Sequence, residues 1–326
     1  MKTEDLQVVA EFAALAPSVH NTQPWRFVSG PASLEIHIDA DRGLDYLDPW
    51  HRQMLISCGA AAEFGRLGIR SLGVACIARL LPDPSHPTLV AKLISGAAEP
   101  LTPAEQRLID AVPRRYTDRG PYTDEAAPNA MFQTMRETAG ERNCWLRVVD
   151  RPEHRQALIQ LLETAERIES DDPVYRTEIQ RWQRHGAAHD GILVDDYADW
   201  ASQHRMSDVP LRDFSGYGRH DRRGALDPRH VERDPVVVLG SDRDDPLSWL
   251  QSGRALADIV LVLTDANLVC QPLGPVLDVP TTREQLRHEL GLIGYPQMLL
   301  RIGHGHRTPV AGRRAVEDVF NTVTAP

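Results

Sequence analysis

QMLISCGAAAEFGRLGIRSLGVAC, residues 53–76, lies on LQSGRALADIVLVLTDANLVC, residues 250–270, when the chain is shifted by 194 positions. Gly59 then meets Gly253, Ala61 meets Ala255, Leu67 meets Leu261 and Cys76 meets Cys270. Leu55, Cys58, Ala61, Ala62 and Leu67 recur at helical spacing, which predicts a helix over 51–72 rich in small residues and able to pack closely on another of its kind. A second shift, of 120, lays PWRFV (24–28) on CWLRVV (144–149), with Trp25 over Trp145 and Val28 over Val148. Both matches run in the same order along the chain, the mark of an internal duplication. Helices rich in Ala, Gly and Leu match one another by chance, so the differences between the copies say more than the match does.

The two shifts differ by 74 residues, an insertion in the second copy between the strand expected at 145–150 and the helix expected at 248–269. Leu158 to Gln183 reads as helix, whereas Arg184 to Arg233 is rich in His, Asp, Arg and Gly, with Trp200, Phe214 and Tyr217 interspersed. Long excursions of this kind are functional covers or decorative surface loops. Both readings stay open for 166–235, with a lid over a binding site as the working expectation. The division expected is a first unit over 1–110 and a second over 111–326.

Around these anchors the elements alternate. Leu6, Val9, Ala10, Ala13 and Ala14 mark one side of a helix over 4–16 that Pro17 stops. Trp25–Val28 and Leu34–Ile38 read as strands turning at Gly30 and Pro31. Later, Pro235–Gly240 reads as a buried strand, Trp249–Val269 as a long helix and Pro296–Gly303 as a final strand. The fold class is therefore α+β, two units of sheet plus helices.

With 42% hydrophobic and 25% charged residues the chain is globular rather than disordered. A net charge of -10 argues against a general nucleic-acid binder, which needs surplus cations. Lysine is confined to Lys2 and Lys92 while arginine is abundant, a bias that a GC-rich genome explains as readily as function does. Cys58, Cys76, Cys144 and Cys270 are too few and too scattered for a disulfide framework and form no CxxC pair, which fits a reducing compartment. MKTEDLQVVAEF does not read as a signal peptide and no uncharged run is long enough to span a membrane, so a cytoplasmic protein without a membrane partner is expected. No GxGxxG follows a strand and no GxxxxGK[ST] is present, so a resident Rossmann or P-loop nucleotide is not supported. His304-Gly305-His306, and His185 with His189, lack the companions of a metal site, and no metal is expected.

Ala16-Pro17-Ser18-Val19-His20-Asn21-Thr22-Gln23-Pro24-Trp25-Arg26-Phe27 concentrates donors and acceptors between two prolines, the second of which biases Gln23 toward an extended backbone. Residue by residue this could be a capping turn. As a string it resembles the APSxxNxQPWxF signature of FMN-dependent nitroreductases. Pro113-Arg114-Arg115-Tyr116-Thr117-Asp118-Arg119 resembles the arginine-rich opening of the same superfamily, with its spacing changed by one residue, and Pro296–Gly303 followed by Arg313-Arg314 resembles its closing strand and basic pair.

The chain is thus similar to the nitroreductase superfamily in its Acg-type branch, known from actinobacteria. That resemblance implies a nitroreductase-like fold duplicated in one chain, standing in for the usual homodimer. It implies FMN as cofactor, with NAD(P)H as transient electron donor and a nitroaromatic or quinone-like small molecule as acceptor. Ser18, His20, Asn21 and Gln23 would address the flavin ring, and Arg114, Arg115, Arg119, Arg313 and Arg314 are the phosphate candidates, without a choice among them. Gln271, Pro272 and Leu273 fall where members place backbone against the ring. No catalytic side chain is required, because the cofactor carries the chemistry.

PSVHNTQPW faces ETAGERNCW in the second copy, and nothing ahead of the first copy resembles the arginine motif. Each half supplies one contribution, so one FMN per chain is expected, and fusion is compatible with a monomer. The alternative implied by the same motif is a protein that sequesters FMN and turns nothing over.

Overall fold

The computed structural model describes residues 1–119, 122–194, 234–305 and 311–322. The first sheet holds β1 (Trp25–Gly30), β2 (Ser33–Ile38), β3 (Val74–Leu80) and β4 (Leu89–Ala98) in the order β1-β2-β4-β3. The second holds β5 (Cys144–Val148), β8 (Val236–Ser241), β9 (Val269–Pro272) and β10 (Tyr295–Gly303) in the order β5-β8-β10-β9, and the two-residue strands β6 (Gln183–Arg184) and β7 (Ile192–Leu193) pair apart from both sheets. Every pairing in these two orders is antiparallel, so the sheets share one topology. Helix α1 (Thr3–Ala14) leads into β1 as α4 (Asn129–Gly140) leads into β5, and α2 (Arg52–Ser71) stands between its second and third strands as α7 (Pro246–Asp265) does. The duplication read from two short matches is the architecture of the molecule.

The glycines that aligned are where the copies touch. A Cβ on Gly59 would lie 2.2 Å from the Leu250 carbonyl oxygen, and one on Gly253 would lie 2.0 Å from that of Ile56. Helices α2 and α7 therefore cross backbone to backbone, which only glycine permits at both points. Beside the crossing, the fully buried Glu63 carboxylate takes Arg66, Arg142 and Arg254, the last two reaching it from the second copy. Burial pushes this acid up, but the three guanidiniums together hold it below the ordinary carboxylate range. One hydrophobic cluster runs through both copies, from Val9 and Phe27 to Leu239 and Ile302.

Two segments break the symmetry. Pro31 and Ala32 alone join β1 to β2, whereas residues 149–235 separate β5 from β8. The insertion thus splits a hairpin, ahead of β8. A smaller one, with α8 (Pro275–Asp278) and α9 (Pro280–Glu289), stands where the first copy has residues 81–88. Together α5 (Pro152–Asp171), α8 and α9 cover the outer face of the second sheet through Leu158, Leu162, Val276 and Leu286. That cover buries all six residues of β8, which explains its unbroken apolar run, while β1 keeps Arg26 exposed between buried Trp25 and Phe27.

The single helix expected over 158–183 is two. Asp172 takes extended angles and caps α6 (Pro173–Trp182) by accepting from Val174 N at 2.7 Å, and Pro173 cannot continue α5. Helix α6 docks on the first copy through Tyr175, Ile179 and Trp182 against Leu44 and Leu47. Residues 195–233 of the candidate lid lie outside the described residues.

The tail crosses back. β11 (Phe320–Thr322) pairs parallel with β1, Phe27 opposite Phe320, so the end of the second unit completes the first unit's sheet. Among the described residues no helix is long and apolar enough to cross a membrane.

Candidate functional site

Where α1 stops, the chain enters a tight turn with three non-glycine residues at positive φ: His20 at 46°, Asn21 at 54° and Gln23 at 50°. Such angles persist only where surroundings enforce them. Ser18 Oγ accepts from Gln23 N at 3.0 Å, Ser57 Oγ of α2 accepts from Val19 N at 3.1 Å, and Thr22 N donates to Val19 O at 2.8 Å. Gln23, expected to be extended before Pro24, is instead left-handed because its buried amide is pinned at both ends. Its Nε2 donates to His189 O at 2.7 Å and its Oε1 accepts from Arg314 N at 2.9 Å.

The insertion therefore reaches this turn. Gly191 N donates to Asn21 O at 3.2 Å, and Arg42 bonds both Thr22 O and Asp190. The tail arrives on the same side, with Asn21 Nδ2 donating to Gly312 O at 3.2 Å. Three segments far apart in sequence, 18–23, 186–191 and 311–314, are tied together.

Beside the turn lies a partly open cavity between the copies. Of the residues expected from sequence, Ser18, His20, Arg119, Gln271, Pro272 and Leu273 line it. Asn21 and Gln23 stand behind it in the tied turn. Gln271 is 5% exposed and its Oε1 has no hydrogen-bond partner among the described residues, as is also true of Asn21 Oδ1. Leu273 N is held by Leu299 O at 2.9 Å, which fixes the course of the β9 exit past the cavity.

The arginines separate sharply. Arg115 Nη2 donates to Leu15 O at 3.3 Å, and Arg313 Nη2 donates to the same oxygen at 3.4 Å and to Ala16 O at 3.3 Å. Arg115 is buried and Arg313 partly buried, and among the described residues no carboxylate bears on either. Burial, with Arg119 as a further repulsion, lowers Arg115 to about 10, and burial followed by Arg115 lowers Arg313 to about 9. Each Nε is buried without a partner among the described residues. Arg114 points away, half exposed, to Asp110 O at 3.2 Å and Asp265 at 3.8 Å. Arg314 donates to Gln23 O at 3.4 Å and Asp318 O at 3.1 Å and lies 3.7 Å from Asp39.

Sequence reasoning missed Gln53 and Ser57 on α2, Glu166 on α5 and Asp278 on α8, all of which line the cavity. Gln53 and Ser57 sit inside the repeat, where helical periodicity could have put them on one face. Glu166 and Asp278 lie in the insertions, which carry no motif.

No family model matches the chain. It is 31% identical over 303 residues to the Mycobacterium tuberculosis protein named "Putative NAD(P)H nitroreductase Rv3131", covering 92% of this chain and 85% of that one. With "Putative NAD(P)H nitroreductase acg" of the same organism it shares 25% identity over 323 residues, 98% of this chain and 96% of that one. Among solved structures, a nitroreductase with bound FMN from Desulfitobacterium hafniense superposes at a TM-score of 0.42 and 15% identity, over 67% of this chain and 98% of that one.

Proposed function

This chain belongs to the NAD(P)H nitroreductase family, and from that premise we propose that it is an FMN-dependent oxidoreductase passing electrons from NAD(P)H to a flat nitroaromatic or quinone-like acceptor. The observation that carries the reading is the meeting of Arg115, buried, and Arg313, partly buried, at the Leu15 carbonyl, two cations without a carboxylate among the described residues. A buried charge lacking a counterion is costly, and a phosphate monoester, with oxygens matching planar guanidinium forks, would offset that cost.

The rest of the site fits FMN. Gln271 Oε1, without a partner among the described residues, is an acceptor suited to a polar ring edge, and the cavity wall is apolar at Pro17, Ile56, Leu273 and Met298. Bound there, FMN would supply the redox chemistry, taking a hydride from the nicotinamide and returning electrons to the acceptor. Arg115, Arg313 and Arg119 hold the phosphate in this reading. Ser18 and His20 shape the cavity wall, Asn21 and Gln23 fix the turn behind them, and Pro272 and Leu273 present the β9 exit. Arg114 stays outside, and Arg314 acts through Gln23. Neither side-chain nucleophile nor side-chain base is needed.

The bonds that residues 186–191 make across the turn favour a second reading, in which the insertion covers a stored flavin. Anaerobic stopped-flow mixing with NADH and NADPH separates the two. Bleaching of the bound flavin within seconds supports the oxidoreductase, and flavin that stays oxidised supports storage. Protein that is colourless after incubation with FMN and desalting would overturn both.

A further inference from the structure

Resting on that flavin reading, we propose that Gln53 is a specificity-determining residue for the electron acceptor, its fixed amide oxygen favouring flat neutral rings that carry an N–H or O–H donor. Gln53 is half-buried in the first turn of α2 and lines the cavity. Its Nε2 donates to Asp278 Oδ1 at the end of α8. The Asp278 side chain is 4% exposed and ion-paired, with Arg52 standing 3.7 Å from the same oxygen. Arg52 in turn donates to Gln297 O at 2.8 Å and Leu277 O at 3.4 Å, so the ion pair is fixed on the second copy.

That pair decides which way round the amide sits. An ionised carboxylate only accepts, so Gln53 must turn its NH2 end to Asp278, and a reversed amide would set oxygen against oxygen. Oε1 is then the end without a bond among the described residues, on a side chain that lines the cavity. Gln271, the other amide of the lining, has no partner for its Oε1 among the described residues, so no donor fixes its orientation in the same way. The shift of 194 lays Leu247, 43% exposed, on Gln53. A helix start of this kind therefore does not itself demand an amide at that place.

A ring that enters without a donor strips water from Oε1 and returns nothing, whereas one with an N–H or O–H replaces the lost bond. Because the amide is held in place before the ligand arrives, little side-chain freedom is lost on binding. For a half-buried amide the difference should be about fivefold in affinity. Selection of this kind depends on hydrogen-bonding sense and on no net charge of the lining.

The test titrates 4-nitroaniline and 4-nitrotoluene, neutral rings of similar size that differ by an amino for a methyl group, into the flavin-loaded full chain, reading Kd by calorimetry. The ratio of the two Kd values is compared between the parent chain and Gln53→Met, which keeps the side-chain length and loses the amide. The expected result is a shift of that ratio by about fivefold toward 4-nitrotoluene, carried by weaker binding of 4-nitroaniline. Asp278→Asn, whose own amide can meet either end of Gln53, should move the ratio in the same direction. A ratio unmoved in either folded variant, or moved only by tighter binding of 4-nitrotoluene, would overturn the proposal. Should Asp278→Asn fail to fold, Gln53→Met alone decides. Failure to load flavin would count against the flavin reading only, since the same titration of the unloaded chain still measures the selection by Gln53.

Discussion

At the residue scale the proposed site depends on two arginines, Arg115 and Arg313, that no acid among the described residues balances. Replacing Arg115 by Met keeps the volume and removes the uncompensated charge, so Arg115→Met should lower FMN affinity by about a hundredfold while leaving the melting temperature of the flavin-free protein unchanged or higher. Fluorescence titration and thermal melts of both forms check this, and a variant that binds FMN normally would contradict it. In the sequence this arginine is not separable from its neighbour Arg114, because the choice depends on partners far along the chain. Leu15 O and Arg313 select Arg115, while Asp110 and Asp265 draw Arg114 outward. Likewise the string at 16–27 announced a recognition turn, but that Gln23 would hold His189 and Arg314 rather than stand extended was invisible, since both partners lie in segments without periodicity.

At the scale of elements, the link out of the first unit is a knot built on Arg70, at the end of α2. It donates to Val74 O, Glu99 O and Pro100 O at 2.9 to 3.1 Å and, through Nε at 2.8 Å, to Glu105 of α3 (Pro103–Ala111). Thr102 and Glu105 form a capping box at the start of that helix. The hydrogen bond from Arg70, outweighing burial and helped by Thr102, holds Glu105 at about 2. A carboxyl depressed below its ordinary value contributes stability above about pH 4.5, and that stability disappears as pH falls toward 2. Glu105→Gln should therefore cost about 2 kcal/mol at pH 7, discounted for partial exposure, with the difference from the parent protein shrinking through pH 4 and 3. Urea melts at those pH values measure it, and a constant difference would argue against the assignment. Periodicity located α1, α2 and the long central helix α7, because one face of each is buried. It merged α5 and α6, because apolar spacing continues through Asp172 and Pro173 although the backbone cannot.

At the scale of the whole molecule the chain is a pair of copies, and the proposed function puts one site between them. The repeat was legible because Gly59 and Gly253 must both be glycine for the helices to cross. The place of the insertion was only bracketed, because two shifts cannot tell a split hairpin from a long strand-to-helix loop. The asymmetry follows from the same comparison: α4 runs on to Gly140 where the first copy has already entered its turn, and the tail that brings Arg313 continues to β11 on the first sheet. Ser18 and His20 of the turn and Arg119 of the arginine motif thus line one cavity between the copies, while Arg115 and Arg313 meet at Leu15 O, two residues ahead of Pro17 in its lining. Titrating the purified chain with FMN and following the quenching of flavin fluorescence tests this directly. Saturation at one FMN per chain is the predicted result, and two per chain, or none, would contradict it.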